Sequence, residues 1–153
     1  MGIVERPKYE PLLDDPDDYR PRSRIAVFSD PGGSTAEPVQ SLSLIFEECA
    51  AGDRIPLHTH PHDEAVVIDQ GMAEYVLGEE RRRITEGAVV FVPRGTIHGL
   101  RNPGPGTLRL HGILPSTVIG ITYRERNPKP GTEGQPPQPP LSVDVRRIAG
   151  ARG

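Results

Sequence analysis

Gly52-Asp53-Arg54-Ile55-Pro56-Leu57-His58-Thr59-His60-Pro61-His62-Asp63-Glu64 is the stretch on which the reading of this chain turns. Alternate residues of an extended strand share a face, so His58 and His60 project from the same side and set two imidazoles next to each other. Pro61 bends the chain, and Glu64, opening the next run, can return a carboxylate to the same spot. Further on, Thr96-Ile97-His98-Gly99 carries another imidazole on a later strand. Imidazoles and a carboxylate suit a borderline divalent ion. A His-x-His pair alone says little, and the weight lies in what surrounds it.

Outward from that stretch the pattern is β throughout. Short runs rich in Val, Ile, Leu and Thr alternate with Gly, Pro, Asn and Asp, the signature of strands and tight turns. Strands are predicted near 24–28, 41–48, 54–60, 64–69, 73–77, 81–85, 88–92, 96–101, 107–114 and 117–125. Ser41-Leu42-Ser43-Leu44 and Thr107-Leu108-Arg109-Leu110 alternate polar with apolar, which places their leucines on a buried face. With 17 Gly and 18 Pro in 153 residues, long uninterrupted helices are excluded. Many short strands at this spacing predict a sandwich or barrel.

Two spaced frames hold the metal-type residues. The first is Gly52, five residues, His58, one, His60, three, Glu64, six, Gly71. The second is Gly87, five residues, Pro93, one, Gly95, two, His98, three, Asn102. Together they resemble the two signature motifs of the cupin superfamily at every fixed position, and the resemblance covers about 42–116. It implies an all-β jelly-roll barrel whose metal ligands are His58, His60, Glu64 and His98. The glycines would form tight turns, and Pro93 and Asn102 would fix corners around His98. The implied cofactor is one divalent ion, Fe, Mn, Ni, Co, Cu or Zn, keeping open positions for a bidentate oxygen ligand or for substrate plus O₂.

The leading functional expectation is therefore a metal-dependent dioxygenase acting on a small enolisable or phenolic molecule inside the barrel. A metal-dependent isomerase, lyase or cyclase is the alternative, as is a barrel that binds a small molecule without turning it over. Beside the ligand set, His62 keeps the parity of His58 and His60 and stands either at the barrel mouth as an acid/base or in a solvent-facing loop. Arg109 and His111 share a strand face; turned inward they add an anion clamp and a proton carrier, turned outward they are surface. Phe46, Tyr75 and Phe91 are candidates to line the pocket or to be plain core.

Composition bounds the rest. A net charge of −3 gives no basic surface for nucleic acid, and the Arg81-Arg82-Arg83 run is diluted by Glu79, Glu80 and Glu86 into a solvated hairpin. The single cysteine, Cys49, is read as a packing residue. No apolar run approaches a membrane span or a signal peptide, so a cytoplasmic protein is expected. Ten of the 18 prolines fall outside 23–126, which divides the chain into an extended arm (1–22), a barrel (23–126) and a Pro-rich tail (127–153). Residues 127–140 are extended or polyproline-like, and 141–149 form one last strand or turn. The resemblance also implies a homodimer, built through sheet edges or exchanged terminal strands.

Overall fold

The computed structural model describes residues 2–32 and 37–148. Its strands are β1 (Glu10–Leu12), β2 (Arg20–Ser29), β3 (Ser43–Cys49), β4 (Arg54–Thr59), β5 (Glu64–Gln70) and β6 (Met72–Leu77). They continue as β7 (Glu80–Thr85), β8 (Val89–Val92), β9 (His98–Arg101), β10 (Leu108–Leu114), β11 (Val118–Tyr123) and β12 (Leu141–Asp144). One turn of 3₁₀ helix, Val145–Arg147, follows β12. The strands pair into two six-stranded sheets, β1-β2-β3-β10-β5-β8 and β12-β11-β4-β9-β6-β7. Neighbours run antiparallel, and chain-adjacent strands often sit in opposite sheets, which makes the barrel a jelly roll.

All ten predicted strands form, within a few residues of their expected ends. β1 is additional. Prolines at 7 and 11 argue against a strand there, yet Pro11 is tolerated because β1 is an edge strand bonded only to β2. Of the expected last element, 141–144 is strand and 145–147 is helical turn, while residue 149 lies outside the described residues.

One parity is reversed. Ser43, not Leu42, points inward: Ser43 is 1% exposed and Leu42 47%. The Ser43 hydroxyl donates to the Ser116 carbonyl at 2.6 Å, which satisfies it in the interior. Ile45, Glu47 and Cys49 follow Ser43 inward, so Leu44 and Phe46 face out.

The main core lies between the sheets under β5, β6, β9 and β10, centred on Ile68, Leu108, Leu110 and Tyr75. Burying a side chain such as Ile68 stabilises the fold by about 1.5–3 kcal/mol. Cys49 belongs to this core; burial pushes its thiol up to about 11, as suits packing rather than nucleophilic chemistry. A smaller core, Leu114, Ile119 and Val145, ties the 3₁₀ turn to the barrel.

The termini brace each other. Arg126, after β11, bonds the Asp17 carboxylate and donates to the carbonyls of Pro16, Thr132 and Gln135. Asp17 also accepts from the Gln138 backbone at 2.8 Å. Residues 127–140 contain no strand and run against the arm through these contacts before entering β12. Residues 149–153 of the expected tail lie outside the described residues.

Candidate metal centre

β4 and β9 are neighbours in the register His58↔His98, which sets these two rings 4.2 Å apart. His60, one residue past β4, lies 4.8 Å from His58 and 5.1 Å from His98, centroid to centroid. Glu64 opens β5 in the opposite sheet. Its Oε2 is 3.2 Å from Nε2 of His60 and 3.1 Å from Nε2 of His98. The three imidazoles are buried, at 7%, 6% and 3% exposed, and one ring nitrogen from each lies within 4.8 Å of the others.

Each ring is oriented through its other nitrogen. Nδ1 of His58 donates to the Pro56 carbonyl at 2.6 Å, that of His60 to the Gly120 carbonyl at 2.6 Å, and that of His98 to the Thr96 carbonyl at 3.0 Å. A carbonyl can only accept, so the hydrogen of each neutral ring sits on Nδ1 and Nε2 presents a lone pair. The Glu64 carboxylate presents lone pairs as well. Lone pairs that converge with no hydrogen between them are satisfied by a cation, and the carbonyl bonds are the kind that orient metal-binding imidazoles. The cluster could therefore bind a metal ion. Burial, then the proximity of His98 and His60, pushes His58 down to about 3, which keeps that ring neutral. Burial alone would raise Glu64, but the His60 and His98 imidazoles beside its Oε2, at 3.2 and 3.1 Å, outweigh this and hold it well below the usual carboxylate range.

Backbone details make room for the cluster. A Cβ on Gly112 of β10 would stand 2.8 Å from Glu64 Oε1, so only glycine lets the carboxylate lie there. A Cβ on Gly120 would stand 2.5 Å from the Pro61 ring, and this close approach brings the Gly120 carbonyl to His60. Pro56 sits at an irregularity of β4 between Ile55 and His58, where a missing N–H costs no ladder bond.

The cluster forms one wall of a cavity of about 210 Å³ inside the barrel. Ile25, Val27, Ile45, Val66, Ile119 and Ile121 make it aliphatic, and Leu141 and Val143 of β12 complete it. A polar band crosses it. Asp15 accepts from the Tyr123 hydroxyl at 2.6 Å, and Asp18, Arg20 and Glu47 form a buried ion-paired row. Glu47 is raised by burial, with the Arg20 guanidinium opposing.

Of the remaining expected residues, Tyr75 lines this cavity. Phe46 does not; with reversed parity it stacks between Phe28 and His111 on the outer face. Phe91 is 76% exposed on the outside of β8. His111 and Arg109 point outward, His111 bonding Asp69 at 2.7 Å and Arg109 bonding Glu48 at 2.7 Å. His62 stacks on the His60 ring at 5.0 Å and bonds the Asp63 carbonyl. Asp15, Asp18, Arg20, Glu47, Gly112, Gly120 and Tyr123 carry no motif. Only the inward parity of Ser43, Ile45 and Cys49 signals Glu47. A larger groove, about 460 Å³, lies outside the second sheet, where its carboxylates are engaged by guanidinium groups, Glu74 by Arg83 and Arg101 and Glu125 by Arg54.

A jelly roll with imidazoles clustered on its inner wall defines a class of β-barrels with a candidate metal centre inside. The family model described as the cupin domain matches residues 45–114. Residues 45–114 of this barrel are thus a cupin domain. The chain is 34% identical over 64 residues to the mannose-1-phosphate guanylyltransferase RfbM of Salmonella typhimurium; the match takes in 42% of this chain and 13% of that protein's length. The polyketide cyclase RemF from Streptomyces resistomycificus superposes with a TM-score of 0.60 at 21% identity, over 84% of this chain and 82% of that one. Salicylate 1,2-dioxygenase from Pseudoaminobacter salicylatoxidans, solved as adducts with gentisate, gives 0.54 at 15% identity, over 62% of this chain and 25% of that one. At such identities both structures share the fold. Among the described residues no helix is long and apolar enough to cross a membrane.

Proposed function

We propose that His58, His60, Glu64 and His98 hold one divalent ion, Fe, Mn, Ni, Co, Cu or Zn, and that the protein is a metal-dependent enzyme acting on a small enolisable or phenolic molecule. The observation that carries this reading is the convergence of three Nε2 lone pairs and the Glu64 carboxylate at one buried point. When bound, the ion supplies Lewis-acid chemistry and a place for a ligand oxygen. The chain's own residues supply the rest. Carbonyls of Pro56, Thr96 and Gly120 hold the rings, and aliphatic walls exclude water from the ligand.

Dioxygenase chemistry is our first reading, as an oxygen ligand and O₂ can share one centre; the fold-level likeness to a salicylate dioxygenase is consistent with it. An O₂-independent isomerase, lyase or cyclase is second, supported by the buried Glu47 carboxyl facing the same cavity. Metal analysis of natively expressed protein, then oxygen uptake with diketones, phenols and hydroxy acids, separates them. A dioxygenase consumes O₂ with product, whereas an isomerase or cyclase turns over anaerobically. Protein that holds no first-row metal and gains no thermal stability from any removes the whole reading.

We further propose a cytoplasmic homodimer of three-part chains, arm 1–22, barrel 23–126 and tail 127–153. A light-scattering mass near 17 kDa, the value of one 16.7 kDa chain, would remove the dimer.

A further inference from the structure

Glu47 is a buried carboxylate that the histidine cluster does not use. It stands on the inner face of β3, in the cavity that His58, His60, Glu64 and His98 also line. Arg20 Nη1 donates to its Oε2 at 3.0 Å, and Oε1 accepts no hydrogen bond from any described residue. Arg20 cannot turn to cover that oxygen, because Asp18 grips its other side with two bonds, 2.7 Å to Nε and 2.8 Å to Nη2. With no donor among the described residues, and not being fully sealed, that oxygen is open to a hydrogen-bonding group in the cavity that Glu47 lines. If Glu47 served only to neutralise Arg20, the forked pairing that Asp18 already provides would do so more completely. The free oxygen instead faces an aliphatic cavity whose volume matches roughly seven waters at ~30 Å³ each. A ligand that fills so small a space meets both the histidine wall and Glu47.

We infer that Glu47 is a second functional carboxyl of this site, exchanging a proton with a small enolisable ligand seated between it and the histidine cluster. The inference rests on the metal-dependent reading above and names the group that moves the proton. A C–H bond beside the ligand's carbonyl breaks, an O–H bond forms at Glu47 Oε1, and the electron pair moves onto the ligand's carbonyl oxygen. Return of the proton to the same or the adjacent carbon completes the exchange, with no oxidant or reductant. Burial favours proton uptake at Glu47, as do the negative charges of Asp18 and Glu64, with Arg20 opposing.

The test uses full-length protein loaded with Co(II) and hydroxyacetone in D₂O, with deuteration followed by proton NMR. Glu47→Gln keeps an acceptor for Arg20 and therefore the packing; Glu47→Asp withdraws the carboxylate and serves if the glutamine variant does not fold. Cobalt stoichiometry, the cobalt visible spectrum and the melting temperature are measured alongside. The expected result is metal-dependent deuteration by wild type, at least about 100-fold slower in Glu47→Gln at unchanged cobalt content. Wild-type protein that binds neither cobalt nor any other first-row divalent ion overturns the metal reading, and this inference with it. Cobalt-loaded wild type that leaves hydroxyacetone undeuterated, or a Glu47→Gln variant that matches wild type, overturns the inference alone.

Discussion

At the scale of single residues, the candidate centre depends on what is absent as much as on what is present. Gly112 leaves the space in which the Glu64 carboxylate lies, and a methyl group there meets Oε1 at 2.8 Å. Gly112→Ala should therefore fold but weaken metal binding about 10–100-fold, as loss of a ligand-orienting contact does elsewhere; competition with a chromophoric chelator measures it. Unchanged affinity would mean that Glu64 is not a ligand. His98→Ala should abolish stoichiometric metal altogether, read by elemental analysis. Of the four proposed donors, His58, His60 and Glu64 were legible from their local spacing and His98 from a second frame, Gly87 to Asn102, whose glycines mark turns as those of the first do. Glu47 was not, because one charged residue in an alternating strand does not say which charge will meet it, and Arg20 arrives from 27 positions away.

At the scale of elements, turn chemistry made the strands readable, and packing decided what it could not. Gly and Pro punctuate the chain closely enough to locate ten strands, but the parity of β3 followed from Ser43 finding a buried carbonyl rather than from hydrophobicity. β1 stayed hidden because proline speaks against strands in general and is silent about edges. The arm and tail carry a mutual dependence that no local pattern reveals. Asp17 is fully buried, and Arg126 is its principal counter-charge. Arg126→Ala should cost roughly 3 kcal/mol by stranding that carboxylate, seen as a lower urea midpoint. A loss under about 0.5 kcal/mol would show that the Gln138 bonds suffice on their own.

At the scale of the whole molecule, protons would compete with the proposed metal ion for the same barrel. In chelator-treated protein the His58 imidazole, pushed down to about 3 by burial and by its two histidine neighbours, stays neutral in the folded chain. Unfolded, it titrates near 6.5. Between those values the unfolded chain binds the extra proton, so stability falls as pH falls, by up to about 1.4 kcal/mol per unit. Glu64, held below the carboxylate range, adds a loss in the same direction at lower pH. Urea midpoints measured from about pH 7.5 down to about 5 should decline for wild type and flatten for His58→Leu.

The register that pairs His58 with His98 has one more consequence. Two of the donors belong to one sheet and Glu64 to the other, and forty positions of chain separate His58 from His98. An ion held by all of them would be a rivet through both layers, closing loops whose ends otherwise meet only at an entropic cost. Stripping the ion should then quicken amide hydrogen exchange in β4, β5 and β9 ahead of β7, at the far edge of the same sheet as β9. The metal would act as a latch on the barrel's breathing as well as a participant in its chemistry.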